Sequence, residues 1–146
     1  MAIGNKKVIQ EYLYDFSVDG GANGSAIELS AKDNAADLPI GAIVTGVTAH
    51  VLTAVTSDGE ATVEWGNNDT DGYSGTAIGK ATLVEDYVMD HATVGGALLW
   101  DDANDHMIPY RISSAATGAF NVLINVADLT AGKIRFFVEY IMPSEV

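Results

Sequence analysis

The chain has 146 residues, of which twenty are acidic, seven are basic and none is cysteine, so its formal net charge is −13. This length predicts one domain, and the lack of cysteine excludes disulfides, thiolate metal sites and a catalytic thiol. The negative field disfavours binding to nucleic acid or to an anionic membrane, because it repels the phosphates of both. Apolar residues make up 48% of the chain, which predicts a folded domain with a substantial core.

Alternation of apolar and polar residues, which is typical of half-buried strands, recurs along the chain. The predicted strands are residues 7–16, 25–29, 42–56, 60–66, 107–113, 119–126 and 134–142. In the first of them, Tyr12, Tyr14 and Phe16 share one face. The longest, 42–56, is apolar on both faces, which indicates a central strand or one that bends at Gly46.

Turns separate these strands, and one segment between them is ambiguous. The dipeptide Asp58-Gly59 predicts a tight hairpin turn, and residues 128–133 are predicted as a hairpin loop with Gly132 at its turning point. Residues 80–89 fit neither period well, so we predict either a short helix there or a strand over 81–88.

Together these elements predict an all-β fold, an antiparallel β-sandwich of the jelly-roll type with about eight strands and at most one short helix. We expect residues 1–146 to form a single domain, with residues 1–7 as a candidate extended amino-terminal arm. No repeat of fixed period occurs, which argues against a propeller or a solenoid.

Residues 67–72 carry oxygen ligands at alternate positions, as a calcium-binding loop does. Asn67, Asp69 and Asp71 occupy positions 1, 3 and 5 of that pattern. Position 12 requires a bidentate glutamate and falls on Ile78 instead. These three residues are therefore weak metal candidates, and an ordinary surface loop is the favoured interpretation. We expect no cofactor, with Ca²⁺ as the weak alternative.

Acidity is concentrated in the middle of the chain. Residues 58–105 carry eleven acids and one base, Lys80, and so hold −10 of the total charge of −13. Within them, the run 101–105 is a second candidate cation cluster, but a solvated loop is the favoured interpretation. One end or one face of the domain should therefore carry a strongly negative field.

The sequence contains no motif for catalysis, so we expect no enzymatic activity and no catalytic residues. Neither a Gly-x-Ser-x-Gly nucleophile motif nor a phosphate-binding loop occurs. His50, His91 and His106 lack the spacing of zinc ligands, and we expect His50 to be a half-buried strand residue.

Two tryptophans are candidates for stacking on sugars. Trp65 is in phase with Ala61 and Val63, so we expect it to lie in the core. Trp100 follows two leucines and precedes acidic residues, which makes it the better candidate for an exposed aromatic. Packing at the core or rim is the favoured interpretation for both.

Four turn-and-strand segments carry a family resemblance: residues 14–21, 38–47, 55–66 and 127–140, with the sequences YDFSVDGG, LPIGAIVTGV, VTSDGEATVEWG and ADLTAGKIRFFVEY. Together they resemble small virion proteins of tailed bacteriophages, of the capsid decoration (cement) type. The resemblance covers about half of the chain, and the acidic residues 67–106 lie outside it.

This resemblance implies a protein that binds the outside of the major capsid protein shell and stabilises it, as a homotrimer at local threefold positions. Its expected location is the capsid surface of the virion, after synthesis in the host cytoplasm, with neither nucleic acid nor membrane as a partner. Ile3, Lys6 and Lys7 are the shell-contact candidates, because the termini are less acidic than the middle. Two alternatives stay open: another virion component (head fibre, tail or baseplate) and a carbohydrate-binding β-sandwich module that uses Trp100.

Overall fold

The computed structural model describes residues 6–24, 26–29, 37–67, 77–90, 110–113 and 118–143. Within these ranges the strands are β1 (Lys6–Asp15), β2 (Ala26–Glu28), β3 (Ile43–Ser57), β4 (Thr62–Asn67), β5 (Ile78–Gly79), β6 (Val88–Asp90), β7 (Tyr110–Arg111), β8 (Phe120–Asn125) and β9 (Leu129–Met142). One short helix, α1 (Phe16–Asp19), follows β1. No helix in these ranges is long and apolar enough to span a membrane.

The strands form two antiparallel sheets. One has the order β1-β9-β3-β6, with β7 also paired to β3, and the other has the order β2-β8-β4-β5. Most strands that are consecutive in the chain lie in different sheets, as in a double-sheet jelly roll, and the exceptions are the pairs β4–β5 and β6–β7. The prediction of an all-β sandwich of jelly-roll type with one short helix is confirmed, and β7 is a short addition to its eight strands.

β1 shows how the local sequence sets the geometry. It pairs with β9 over all ten of its residues without a register shift. Tyr12 and Tyr14 point inward and are 1% and 0% exposed, as the alternation predicts. α1 follows because Asp15 caps it, its carboxylate accepting a hydrogen bond from Ser17 N at 3.0 Å. The helix ends at Gly20, whose φ of +74° favours glycine.

β3 and β9 are the longest strands, and they pair with each other in the middle of the larger sheet. β3 is a central strand, which is one of the two predicted alternatives, and a register shift between Val44 and Gly46 marks a bulge or irregularity at the glycine where a bend was the other. The bulge changes which residues face inward, because Val44 and Val47 are both buried although three positions apart.

The aromatic core joins the two sheets. Tyr12 of β1 stacks on Phe120 of β8, with ring centroids 4.8 Å apart. Phe120 in turn contacts Phe136 of β9 at 5.0 Å, and Phe136 contacts Trp65 of β4 at 5.3 Å. Every one of these contacts crosses from one sheet to the other, so they hold the sandwich closed.

Most predicted strands are confirmed within one or two residues at each end. The start of the last strand was wrong, and so were the two hairpins, because β3 and β4, like β8 and β9, lie in different sheets. β9 begins at Leu129, so most of the predicted loop 128–133 is strand and the turn lies at 126–128. Gly132 is needed for close approach rather than for turning, since a Cβ there would lie 3.1 Å from the Val55 side chain. The short connection from β8 to β9 instead places Val126 at a φ of +74°.

The segment 80–89 is neither the predicted helix nor a strand along its length. Turns follow β5, and regular pairing resumes only at β6. Two main-chain hydrogen bonds of 2.9 Å hold the segment along β3, from Val55 N to Leu83 O and from Val51 N to Tyr87 O. Tertiary pairing with β3 therefore overrides the weak local preference. Of the predicted strand 107–113, the described part contains β7.

Candidate functional site

The outer face of the larger sheet consists of side chains that alternate with the buried ones, and we call it the ion-paired face. Its members are Lys7, Ile9, Glu11, Leu13 and Asp15 of β1, Lys133, Arg135, Phe137, Glu139 and Ile141 of β9, and Ile43, Thr45, Thr48 and His50 of β3.

Three ion pairs link β1 to β9 on this face: Lys7–Glu139 at 3.2 Å, Arg135–Glu11 at 2.7 Å and Lys133–Asp15 at 3.4 Å. Pairs this exposed contribute at most about 1 kcal/mol each to stability. Their clearer effect is on charge, because each acid here has a base beside it. The face is thus close to neutral in a chain whose net charge is −13.

Hydrogen bonds stabilise the ionised form of two of these carboxylates. The Thr45 hydroxyl donates to Glu139 Oε1 at 2.9 Å, and this bond, with Lys7 nearby, lowers the pKa of Glu139. The Ser17 hydroxyl donates to Asp15 Oδ1 at 2.7 Å and lowers the pKa of Asp15, with a smaller contribution from the adjacent lysine. Both carboxylates therefore stay ionised at pH values below the ordinary range of carboxyl pKa values.

Apolar side chains lie between the ion pairs. Ile9 is 62% exposed and Leu13 is 38% exposed, while Phe137 and Ile141 are half-buried. Large apolar groups set among satisfied charges are typical of surfaces that meet a partner.

The outer face of the smaller sheet is different, and we call it the amide face. Its members are Ala26 and Glu28 of β2, Asn121, Leu123 and Asn125 of β8, and Thr62 and Glu64 of β4. Asn125 Nδ2 donates to Glu64 Oε1 at 3.1 Å. The strands of this sheet contain no lysine or arginine.

One row of the larger sheet carries two bases around two isoleucines. Lys7 lies opposite Ile141, Ile141 lies opposite Ile43, and Ile43 lies opposite Arg111. We define the basic rim as these four residues together with two exposed neighbours, Lys6 and Ile40. It holds three of the six basic residues in the described ranges.

The turn before β3 and the residues after β7 fix this rim. Gly41 N donates to Ile112 O, and Ile112 N donates to Ala42 O, both at 2.8 Å. These bonds place Arg111 beside β3, where its side chain is exposed. Ile40, at the tip of the turn, is 58% exposed. The rim thus combines cations with apolar surface.

The opposite end of the sandwich, which we call the turn end, is acidic. Asp128 joins two loops there, since its Oδ1 accepts from Asn23 N at 2.8 Å and its main-chain oxygen accepts from the Ser57 hydroxyl at 2.6 Å. Asp58 and Glu60 are exposed in the same region. The turn end thus carries three acids and one base, since Lys80 Nζ lies 4.0 Å from Glu60 Oε1, whereas the rim carries three bases.

Asn67, the first residue of the predicted calcium loop, is fully buried at the end of β4. Its Nδ2 donates to the carbonyls of Gly118 and Ala119, at 3.0 and 3.2 Å, which ties β4 to the start of β8. Asp69 and Asp71 lie outside the described residues. Across the described ranges, no cluster of three acidic or histidine side chains could hold a metal ion.

The other predicted residues divide between core and surface. Trp65 is 1% exposed, so its predicted place in the core is confirmed and it presents no face to a sugar. His50 is half-buried as predicted, with Nε2 3.5 Å from Asp86 Oδ1. Lys6 and Lys7 belong to β1 and to the basic rim. Ile3, Trp100 and the acidic run 101–105 lie outside the described residues.

Sequence reasoning did not single out Arg111, Ile43 or Ile141. Each lies in a predicted strand, but their common row depends on how β7, β3 and β9 are ordered in the sheet. One signal was present, because Arg111 is the single base between Lys80 and Lys133 in an otherwise acidic half of the chain.

No protein-family model matches the chain, and no curated protein matches it. Among solved structures, it is similar to a chain of the cyanophage Pam1 capsid asymmetric unit, with 16% identity over 98% of this chain and 89% of that one, and a TM-score of 0.63. The two chains share a fold. Another similar chain belongs to the acidic stable capsid structure of Helicobacter pylori bacteriophage KHP30, with 19% identity, coverage of 98% and 97%, and a TM-score of 0.42.

Proposed function

We propose that this chain is a virion structural protein that decorates the outside of a bacteriophage capsid and cements the major capsid protein shell. The observation that carries the proposal is the basic rim, where Lys7 and Arg111 flank two isoleucines in a strongly negative chain. An acidic protein that binds a large surface needs one region where its own field does not oppose contact. The fold shared with a chain of a cyanophage capsid supports this role.

The proposed orientation places the basic rim against the shell and the acidic turn end toward solvent. Cations at the rim would steer the protein and fix its orientation, while Ile40 and its neighbours would supply the apolar area that contact buries. A rigid sandwich suits this task, because every rim residue except Ile40 lies on a paired strand and keeps its spacing.

Binding of purified protein to capsid shells prepared without it tests this orientation. We expect the double variant Lys7→Gln/Arg111→Gln to bind at least about tenfold more weakly than wild type, a difference of about 1.4 kcal/mol. The matched control is Lys80→Gln, which removes the same kind of charge near the turn end. Occupancy is measured by co-sedimentation. Equal occupancy of wild type and the double variant would refute the rim as the contact.

Substitution is a cleaner test than removal of residues 1–7. Lys6 and Lys7 pair with Met142 and Ile141 in β1, so deleting them would also shorten the sheet. A variant that lacks residues 1–5 leaves β1 intact and separates any contribution of Ile3 from that of the rim. Reduced occupancy on deletion of 1–5 alone would assign part of the contact to these residues.

We further propose that three copies gather as a homotrimer on the shell, because three weak contacts to a shell act together through their effective concentration. Averaged density of decorated shells shows how many copies share one position, and we expect three copies around each local threefold axis. Single or paired copies at every position would contradict the trimer.

A further inference from the structure

β1 is an edge strand whose outer side is unpaired among the described residues. It pairs with β9 alone, and its register with β9 has no shift from end to end. It also lacks proline, so the devices that usually protect a long edge from pairing are reduced to its charges. Ten regular residues at an edge are a ready template for another strand.

Three hydrogen bonds, two on β1 and one on its neighbour β9, show which main-chain groups of β1 face away from β9. Asp15 N donates to the Asp19 carboxylate at 2.8 Å, and Glu11 O accepts from the Gln10 side chain at 3.2 Å. On the neighbouring strand, Glu139 O is turned toward Thr45 of β3. Because N–H and C=O alternate along a strand, the odd-numbered residues of β1 present their main chain at the open edge.

The odd-numbered side chains are complementary to themselves in the antiparallel direction. We propose that two copies of the chain pair edge to edge through β1, on a two-fold axis at Ile9. Lys7 of each copy then lies opposite Glu11 of the other, and the two Ile9 side chains meet on the axis. Ile9 is the most exposed large apolar residue of the strand, at 62%.

Other registers are less favourable for the same residues. Centring the pair on Glu11 would oppose two carboxylates and would require the Asp15 N–H, which already bonds to Asp19. Centring it on Leu13 would set Glu11 opposite Asp15, and like charges in directly opposed positions are destabilising. The register on Ile9 has neither fault.

The electrostatics of the strand permit this contact in spite of the net charge. β1 contains two bases and two acids, so it is neutral within a chain of −13. Repulsion between two whole copies acts over longer distances and is screened within about 8 Å at physiological ionic strength. Pairing on a two-fold axis uses the β1 edge of both copies, so association through β1 stops at two copies rather than growing into a fibre.

Disulfide trapping tests the register, since the chain has no cysteine of its own and each variant carries one thiol. Opposite residues in a hydrogen-bonded antiparallel pair have Cα atoms about 5.5 Å apart, within the range of a disulfide. Ile9→Cys should therefore form covalent dimers at least about tenfold faster than the controls. Glu11→Cys is the control on the same strand, with its two sulfur-bearing residues about 14 Å apart, and Thr53→Cys is an exposed control on β3. Equal rates in all three variants would overturn the proposal, as would faster trapping of Glu11→Cys.

A mixing experiment tests the charges separately. Lys7→Glu should lose pairing with itself, and so should Glu11→Lys, because each places like charges opposite one another. Mixing the two restores both opposite-charge contacts, so we expect the mass of a dimer by light scattering only in the mixture. If Lys7 instead guards the edge against association, Lys7→Glu alone would dimerise no less than wild type, and the proposal fails.

This contact uses the open edge of β1, whereas the proposed shell binding uses the basic rim, and Lys7 belongs to both. Trapping of Ile9→Cys is measured in solution without shells, and the single variant Arg111→Gln changes the rim while leaving β1 intact. Loss of shell binding in Arg111→Gln with normal trapping of Ile9→Cys, or the reverse, therefore distinguishes failure of one proposal from failure of the other.

Discussion

The two outer faces of the sandwich are built on the same alternation but carry different chemistry. The ion-paired face sets Ile9 and Leu13 among three cross-strand ion pairs, whereas the amide face carries Asn125 and Glu64 and no base. Both faces cover the same core, so stability alone gives no reason for the difference. This contrast is one reason to place the proposed contacts on the larger sheet rather than on the smaller one.

Two neighbouring phenylalanines of β9 lie on opposite faces of the larger sheet. Phe136 faces inward and is 0% exposed, while Phe137 faces outward on the ion-paired face. We expect Phe136→Ala to lower the free energy of unfolding by about 3 to 5 kcal/mol, because it leaves a cavity beside the rings of Trp65 and Phe120. Phe137→Ala should cost about 1 kcal/mol or less.

Urea unfolding of both variants measures these costs. Similar costs for the two would contradict the assignment of inner and outer faces. A larger loss of dimer or shell binding in Phe137→Ala than in Phe136→Ala would strengthen the view that the outer face serves contact.

Two asparagines of the smaller sheet show the same contrast between a buried and an outward-facing side chain. Asn67 is buried and bonds two carbonyls, whereas Asn125 lies on the amide face. Asn67→Ala should lower stability by about 1 to 3 kcal/mol, because it leaves those carbonyls unsatisfied, and Asn125→Ala by about 0.5 kcal/mol or less. The measurement is thermal unfolding with and without Ca²⁺. A wild-type melting temperature that rises with Ca²⁺, and no rise in Asn67→Ala, would show that Asn67 acts as a ligand instead.

Alkaline pH should lower the free energy of unfolding, because Tyr12 and Tyr14 of β1 are buried in the core. Burial raises the pKa of Tyr14 to about 12, and burial raises the pKa of Tyr12 further. The unfolded tyrosines ionise near pH 10 while the folded ones stay protonated, so stability is full below about pH 10 and falls as the pH rises toward 12. Urea midpoints between pH 8 and pH 12, at about one-unit steps, follow this loss. A wild-type slope no steeper than that of Tyr14→Phe would contradict the account.

Acid should also lower the free energy of unfolding, by less than alkali does, because it protonates two carboxylates of the ion-paired face. The pKa values of Asp15 and Glu139 are lowered, first by hydrogen bonds and then by the neighbouring lysines. The stability they contribute is present above the ordinary carboxyl pKa of about 4 and is lost as pH falls through the lowered values. Glu139→Gln should flatten this acid loss relative to wild type, as measured by urea midpoints at a series of acidic pH values. Equal slopes in Glu139→Gln and wild type would count against the ion-paired face.

Much of the fold could be predicted from the sequence, because alternation is a local property. The faces of β1, the core position of Trp65 and the irregularity at Gly46 all follow from residues close in the chain. The start of β9 did not follow, because Gly132 is there for close approach to Val55, a contact far away in the sequence.

The candidate site was less predictable, for a related reason. Lys6 and Lys7 could be selected from charge alone, but the basic rim also needs Arg111, which enters only through pairing of β7 with β3. In the same way, the apparent calcium pattern at Asn67 could not reveal that its side chain points inward to tie β4 to β8. Strand order and side-chain direction at a strand end are set by tertiary packing.

The most direct test of the proposed role is a cryo-electron microscopy map of capsid shells incubated with the purified protein. We expect one sandwich per bound copy on the outer surface of the shell, with Lys7 and Arg111 of the basic rim against the capsid protein and Asp128 of the turn end toward solvent. Density with the turn end against the shell, or shells that stay bare at saturating protein, would contradict the account.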